Sequence, residues 1–368
     1  MSHETLQILW FVLIAVLWTG YLVLEGFDFG VGMLLPFLPK DERERRVMIN
    51  TVGPVWDGNE VWLLTAGGAT FAAFPEWYAT LFSGAYLALL VILLALIARV
   101  VSFEWRGKIS TPRWQSAFYW GLVLGSWVPA VLWGVAFGNL VAGLKISPVT
   151  TVVSNPGATH ELTRTTLQYT GNFFDLLGNG HGFALLTGVL TATVFLAHGA
   201  IFLSLKTAGD LQARAAATAH RLSLVALGVG AVWALWLQMG FSRNGWTWIA
   251  LVVAAAALAA SAWFTRVRSE GRAFTASAVA IVAAVVLIFG AMFPDVMPSN
   301  LDPSYSLTVH NASSSAYTLT MMSWVALILT PIVLAYQAWT YWVFRKRIGV
   351  HHIPEQVDVT FENAPSLR

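Results

Sequence analysis

Apolar residues run along this chain in long blocks. They show neither the strict alternation of a half-buried strand nor the narrow stripe of a surface helix. Nine blocks are close to or beyond the roughly 20 helical residues that cross a ~30 Å hydrocarbon core. They span 6–35, 52–74, 77–101, 114–140, 173–205, 221–239, 246–264, 274–293 and 317–344. The second is the most polar, with Pro54, Asp57, Asn59 and Glu60 in its first half, but its apolar tail 61–74 is enough to hold it in a bilayer. The first lacks a basic start, and its apolar, Gly-rich sequence continues past Glu25 and Asp28, so it reads as a span and not as a cleaved leader. The pattern predicts one all-α polytopic membrane domain over 1–368: spans one to four at about 6–140, five to eight at about 173–293, a ninth at about 317–344 and a polar tail at 345–368.

Composition agrees. The 368 residues are 57% apolar and 11% charged, against roughly 45–50% and 25% in an ordinary soluble domain. Disorder needs the opposite balance, and so few charges do not clothe a soluble globule of this size. A net charge of +2 gives no reason to expect nucleic acid. Zero cysteines exclude disulfides, iron–sulfur clusters and thiolate-bound haem.

The basic residues give an orientation. With nine spans and the N-terminus outside, 18 of the 21 Lys and Arg fall in inside segments, leaving only Lys145, Arg164 and Arg243 outside. The positive-inside rule predicts such a bias, hence N-out and C-in. Trp10, Trp77, Trp105, Trp114, Trp246, Trp248, Trp339 and Trp342 lie near span ends, as an aromatic belt requires. Small-residue pairs at i, i+4 (Gly26/Gly30, Gly121/Gly125, Gly134/Gly138, Gly178/Gly182) predict close helix crossings. A Phe-Asp beside glycines recurs at Phe27-Asp28 and Phe174-Asp175, which suggests that spans one to four and five to eight are a repeat.

Ionisable residues inside spans cost about 2.5–3.5 kcal/mol each at the midplane, so they mark function. Four acids fall in the first two spans: Glu25 and Asp28, then Asp57 and Glu60, each pair at i, i+3 on one helix face, with Asn59 and Trp56 beside the second. Depth along the two spans places all four toward the cytoplasmic end, where they are expected to share one pocket with no Lys or Arg in either cluster. Such carboxylates suit proton transfer. The plainer alternative is a hydrated interfacial layer or hydrogen bonds that glue helices together.

Histidine argues by position. Of eight His, only His181 and His198 lie in a span, both in the fifth and about 25 Å apart along it, so they do not ligate one haem iron together. His198 reads as a hydrogen-bonded core residue. His160 and the remaining five sit in loops, tails or at a boundary.

The same residues carry a resemblance. The runs Glu25–Gly32 (EGFDFGVG), Arg45–Asn50 (RRVMIN), Pro54–Leu63 (PVWDGNEVWL), Gly134–Leu140 (GVAFGNL), Tyr169–Phe174 (YTGNFF) and Phe293–Ser299 (FPDVMPS) occur in order along nearly the whole chain. Together they resemble subunit II of cytochrome bd quinol oxidase. That resemblance implies a bacterial inner-membrane complex oxidising quinol and reducing O2 to water with cytoplasmic protons. Subunit I would hold haems b558, b595 and d, while subunit II ligates none and forms two pseudo-symmetric four-helix bundles plus one helix. Implied partners are subunit I in a heterodimer, small accessory single-helix subunits, quinol, O2 and lipid.

By position, Asp57 matches an acid on the proton route, with Glu60, Glu25, Asp28 and Asn59 beside it. Trp62 matches a residue lining an apolar O2 path, and Trp56 and Arg99 lie near the region where some relatives hold a structural quinone. The chain departs from some relatives in its short outer loop at 240–245 and in carrying Glu25 where others have Asp. A proton-coupled secondary transporter is the rival reading, since paired acids and Gly-rich helices also fit one.

Overall fold

The computed structural model describes residues 1–153, 162–178 and 182–354. His160, His181 and the tail 355–368 lie outside them, as does the side chain of Arg164. In chain order the elements are α1 (His3–Leu34), α2 (Glu42–Val52), α3 (Trp56–Ala73), α4 (Pro75–Gly84), α5 (Tyr86–Trp105), α6 (Pro112–Ala142), β1 (Ile146–Val153), β2 (Leu162–Tyr169), α7 (Asp175–Gly178), α8 (Phe183–Lys206), α9 (Asp210–Gly240), α10 (Thr247–Arg266), α11 (Glu270–Met292), β3 (Asp295–Met297), β4 (Leu307–Thr308) and α12 (Ala316–Val343). Among the described residues, eight of these helices are long and apolar enough to cross a membrane: α1, α5, α6, α8, α9, α10, α11 and α12. α3 also runs between the two ends of the bundle, but four of its first five residues are Trp56, Asp57, Asn59 and Glu60 and dilute its hydropathy.

Several boundaries differ from those expected. Val52 closes α2, an amphipathic helix capped by Asp41, whose side chain accepts from the Glu44 N–H. The turn at Gly53–Val55 separates it from α3, so the second span opens at Trp56. The third expected span, 77–101, is two helices broken at Ala85, and the crossing one is α5. The fifth opens at Phe183, not 173. Gly182 precedes it at φ +71, a conformation that favours glycine. Upstream, Asn172 and Asp175 exchange side-chain-to-backbone hydrogen bonds of 2.8 and 3.1 Å, which fixes a short turn. Asp175 therefore opens the short α7, outside the crossing helices, while Asp28 is deep in α1, and the two Phe-Asp motifs are not equivalent positions. For the same reason Gly178/Gly182 is not a helix-crossing pair. α9 begins at Asp210, about three turns before the expected 221.

The other glycine pairs do what their spacing predicts. A Cβ on Gly30 would lie 2.0 Å from the Phe195 carbonyl oxygen, and one on Gly199 would lie 2.5 Å from the Gly30 carbonyl carbon, so α1 and α8 touch backbone to backbone. Gly121 and Gly125 admit α5, and Gly134 and Gly138 admit α8. α1 is central, packing against α3, α6, α8, α11 and α12, while α8, α9, α10 and α11 pack on one another.

Two ends are distinct. At the basic end α2 meets the α5–α6 turn through Arg106–Glu42 and the start of α9 through Arg214–Glu44 (2.5 Å). The segment after α12 is strapped there by Arg43 to the Val350 and Ile353 carbonyls. At the other end lie the antiparallel β1–β2 hairpin and the β3–β4 ribbon. There Lys145 pairs with Asp175 (2.8 Å) and Arg243 with Asp295 (3.3 Å). The hydrogen bond from Lys145 holds the Asp175 carboxyl below its usual value, whereas burial raises that of Asp295 against the pull of Arg243.

Candidate functional site

The helical period sets the first two groups. Glu25 and Asp28 lie on one face of α1 and are wholly buried. α3 delivers Asn59 and Glu60 in its opening turns, close to the basic end. α5 presents Arg99 and Phe103 at i, i+4, and Arg106, which caps the helix, continues that stripe from the interior to that end.

Arg99 Nη1 donates to Glu25 Oε1 in an ion pair with both side chains fully buried. The guanidinium carbon also sits 4.7 Å from the Phe29 ring centre and 5.3 Å from that of Phe103. This corrects two expectations. The acids do have a cation partner, and Arg99 is not an inside-loop residue. It lies six residues, roughly 9 Å, inside the end of α5. Because it comes from a third helix, its partnership with Glu25 was invisible in local spacing.

A second strand of the network runs through an amide. Asn59 Nδ2 donates to Asp28 Oδ2 at 2.7 Å, and Asn59 Oδ1 accepts from the Tyr341 hydroxyl at 2.7 Å and from Gln337 Nε2 at 3.3 Å. Gln337 Oε1 in turn accepts from Trp62 Nε1 at 2.9 Å. Tyr341 and Gln337, on α12, were missed. A polar Gln at i, i+4 from a Tyr inside an apolar span was the signal available. Trp62 is half-buried and fills the groove that Gly20 leaves on α1, 2.1 Å from where a Cβ would stand.

The cluster is not closed. Glu25 Oε2, Asp28 Oδ1, Glu60 Oε2 and Arg99 Nε and Nη2 are buried with no protein hydrogen-bond partner. Buried charged atoms in that position require water or a shared proton. Asp57 stands apart. It is exposed in this chain, so Glu25 and Asp28 share the interior, Glu60 is half-buried beside them, and Asp57 flanks the group on the surface of α3. Trp56 is half-buried and stacks on Phe103, with ring centres 5.3 Å apart and planes at 10°. His198 is buried as expected of a core residue, its Nδ1 2.7 Å from Ser277 Oγ and its Nε2 3.1 Å from the Val23 carbonyl oxygen.

Fold and site together define a polytopic helical membrane protein with an ionisable cluster enclosed between α1, α3 and α5. The family model of cytochrome bd terminal oxidase subunit II matches residues 6–344, and the chain belongs to that family. It is 37% identical to cytochrome bd-I ubiquinol oxidase subunit 2 of Escherichia coli K12, covering 94% of this chain and 96% of that one. It is 40% identical to cytochrome bd ubiquinol oxidase subunit 2 of Bacillus subtilis, covering 94% and 97%. In fold it resembles a chain of the bd oxidase from Geobacillus thermodenitrificans, with a TM-score of 0.70 at 17% identity over 93% of this chain and 100% of that one. The chain is therefore one subunit of a terminal oxidase complex, acting with a subunit I partner and not as an enzyme alone. Membership of this family displaces the transporter reading.

Proposed function

We propose that this chain is the haem-free subunit of a bd-type quinol oxidase and that its α1–α3–α5 cluster carries protons from the cytoplasm toward haems b558, b595 and d of subunit I. The observation that carries the reading is the set of buried carboxylate oxygens on Glu25, Asp28 and Glu60 that no protein donor satisfies. Groups in that state exchange protons with water or with each other, whereas carboxylates serving only as glue would be fully bonded. Asp57, exposed one turn before Glu60, is the entry acid. Asn59 bridges Asp28 to Tyr341 and fixes the carboxylate's rotamer. The basic end supports a cytoplasmic face for the site, with nine crossings when α3 is counted, the N-terminus outside and the C-terminus in. The mutual packing of α8 to α11, and of α1 with α3 and α6, supports two four-helix units with α12 as the extra helix.

The test is Asp57→Asn in the assembled complex. O2 consumption should fall several-fold with haem content unchanged. Wild-type turnover in a fully assembled variant would remove Asp57 from the route.

Two further roles belong to the same reading. Trp62, held by Gln337 between α1 and α12, lines an apolar path for O2 from the bilayer. Trp56, stacked on Phe103 at the surface, and the spare N–H groups of Arg99 are the contacts available to a structural quinone. Trp56→Ala should lower the quinone content of the purified complex, and an unchanged content would free Trp56 of that role.

A further inference from the structure

At the basic end, outside the proton cluster, α2 and the end of α5 bring together two guanidinium groups and one carboxylate. Arg106 is buried, and its Nη2 donates to Glu42 Oε1. Arg45 Nη1 lies 3.5 Å from Glu42 Oε2, and its guanidinium carbon lies 4.9 Å from the Tyr119 ring centre. The Nε atoms of both Arg45 and Arg106 are buried without a protein acceptor. One carboxylate thus faces two cations, which leaves a full positive charge and two unmet N–H donors. Lys108 on the adjoining α5–α6 turn and Arg113 in the first turn of α6 are exposed, as is Glu104 in the last turn of α5. Two Trp set the level in the bilayer. Trp105 is 47% exposed and stacks on Trp114, whose Nε1 donates to the Trp105 carbonyl at 2.9 Å. Indole rings so placed sit at the headgroup layer.

We infer that Arg45 and Arg106, between α2 and α5, form a binding site for a phosphate group, supplied by the headgroup of an anionic phospholipid or by free inorganic phosphate. An arginine Nε with one Nη is the paired donor set that a phosphate oxygen accepts, and a second arginine holding a spare Nε completes a two-sided cradle. Glu42 keeps the guanidinium planes in place and caps the affinity, because it competes for the same donors. Tyr119 supports the Arg45 plane from below. The site lies in whichever leaflet the basic end faces, so it is independent of the orientation and of the proton route.

The test uses the whole oxidase complex in nanodiscs of phosphatidylcholine, with and without phosphatidylglycerol. The readouts are lipid retained after detergent extraction, measured by mass spectrometry, and thermal stability with and without added inorganic phosphate. Retention of phosphatidylglycerol over phosphatidylcholine that falls tenfold or more in Arg45→Gln identifies a lipid headgroup. Stabilisation by inorganic phosphate that vanishes in Arg45→Gln, without lipid selectivity, identifies the free ion. Glu42→Gln removes the competing carboxylate and should tighten whichever ligand binds. It carries the test if Arg45→Gln fails to assemble, as judged by the haem spectrum. Lipid retention and phosphate stabilisation that are both indifferent to the two substitutions would overturn the site.

Discussion

The two halves of this bundle are built from similar apolar helices and have opposite interiors. Among the described residues, the unpartnered buried charged atoms all lie on α1, α2, α3 and α5 or on Arg106, which caps α5. In the other half, α8, α9, α10 and α11 enclose an apolar cavity of about 220 Å³ that Leu22 and Phe137 close from α1 and α6. Its polar lining is local, with Thr187 bonded to the Phe183 carbonyl and to Trp233 Nε1, and Thr191 to the Ala130 carbonyl. The buried imidazole of His198 has both ring nitrogens engaged. An apolar void loses only dispersion contacts. A buried ion with spare hydrogen-bonding capacity is far more costly, and a chain keeps it where it does something. On the proposed function the halves separate into scaffold and chemistry, and each substitution below strikes one side of that division.

The largest effect should come from breaking the Glu25–Arg99 pair. Arg99→Met leaves the Glu25 carboxyl buried without its partner, a loss of about 3–5 kcal/mol for a broken buried pair. Assembled complex should all but disappear from membranes, as measured by haem content. Glu25→Gln combined with Arg99→Met removes both charges and should restore most of the yield while leaving turnover low. Normal yield from Arg99→Met alone would mean that the pair is hydrated and that the first half is less distinct from the second than its burial indicates.

Next is the seam that joins the halves. Gly30→Ala drives a methyl into the Phe195 carbonyl, and since the obstacle is backbone, overpacking of about 1–3 kcal/mol is the expected cost. Gly228→Ala in α9 meets nothing within 4 Å and should be neutral or slightly stabilising through helix propensity. Thermal inactivation of the two complexes separates them. Equal midpoints would show that α1 and α8 can part without cost.

Much of this was legible in the order of residues. The long apolar blocks located the crossing helices, and the i, i+4 glycines located three of their contacts. The i, i+3 spacing put Glu25 with Asp28 on a buried face. What stayed hidden depends on contacts between distant segments. Arg99 reads as a span-end cation until α5 is seen to continue to Trp105 and to lie against α1. Asn59 reads as a neighbour of acids until Tyr341 and Gln337 arrive from nearly three hundred residues away. The helix break at Ala85 was concealed because apolar sequence continues through it, whereas the one at Gly182 is signalled by the run GNGHG at 178–182.

A smaller effect is expected at the rim of the polar half. Trp62→Ala loses the hydrogen bond to Gln337 and empties the groove at Gly20, while leaving Asn59 its bonds to Asp28 and Tyr341. The complex should assemble, and the O2 concentration giving half-maximal rate should shift several-fold. An unchanged O2 dependence would count against a path beside Trp62.

The smallest effect tests whether the apolar half is only scaffold. Ala284 lines the 220 Å³ cavity, and Ala284→Leu fills part of it with carbon. The added contacts should stabilise the bundle by about 1 kcal/mol, the reverse of a cavity penalty. Turnover and O2 dependence should both stay at wild-type values, because nothing that lines the void carries a charge or an unbonded donor. An O2 dependence that shifts with Ala284→Leu as much as with Trp62→Ala would place the void on the route of the gas. Apolar space would then be working space in this protein, and the boundary between its two halves would run by ligand polarity, with protons taken through one interior and O2 through the other.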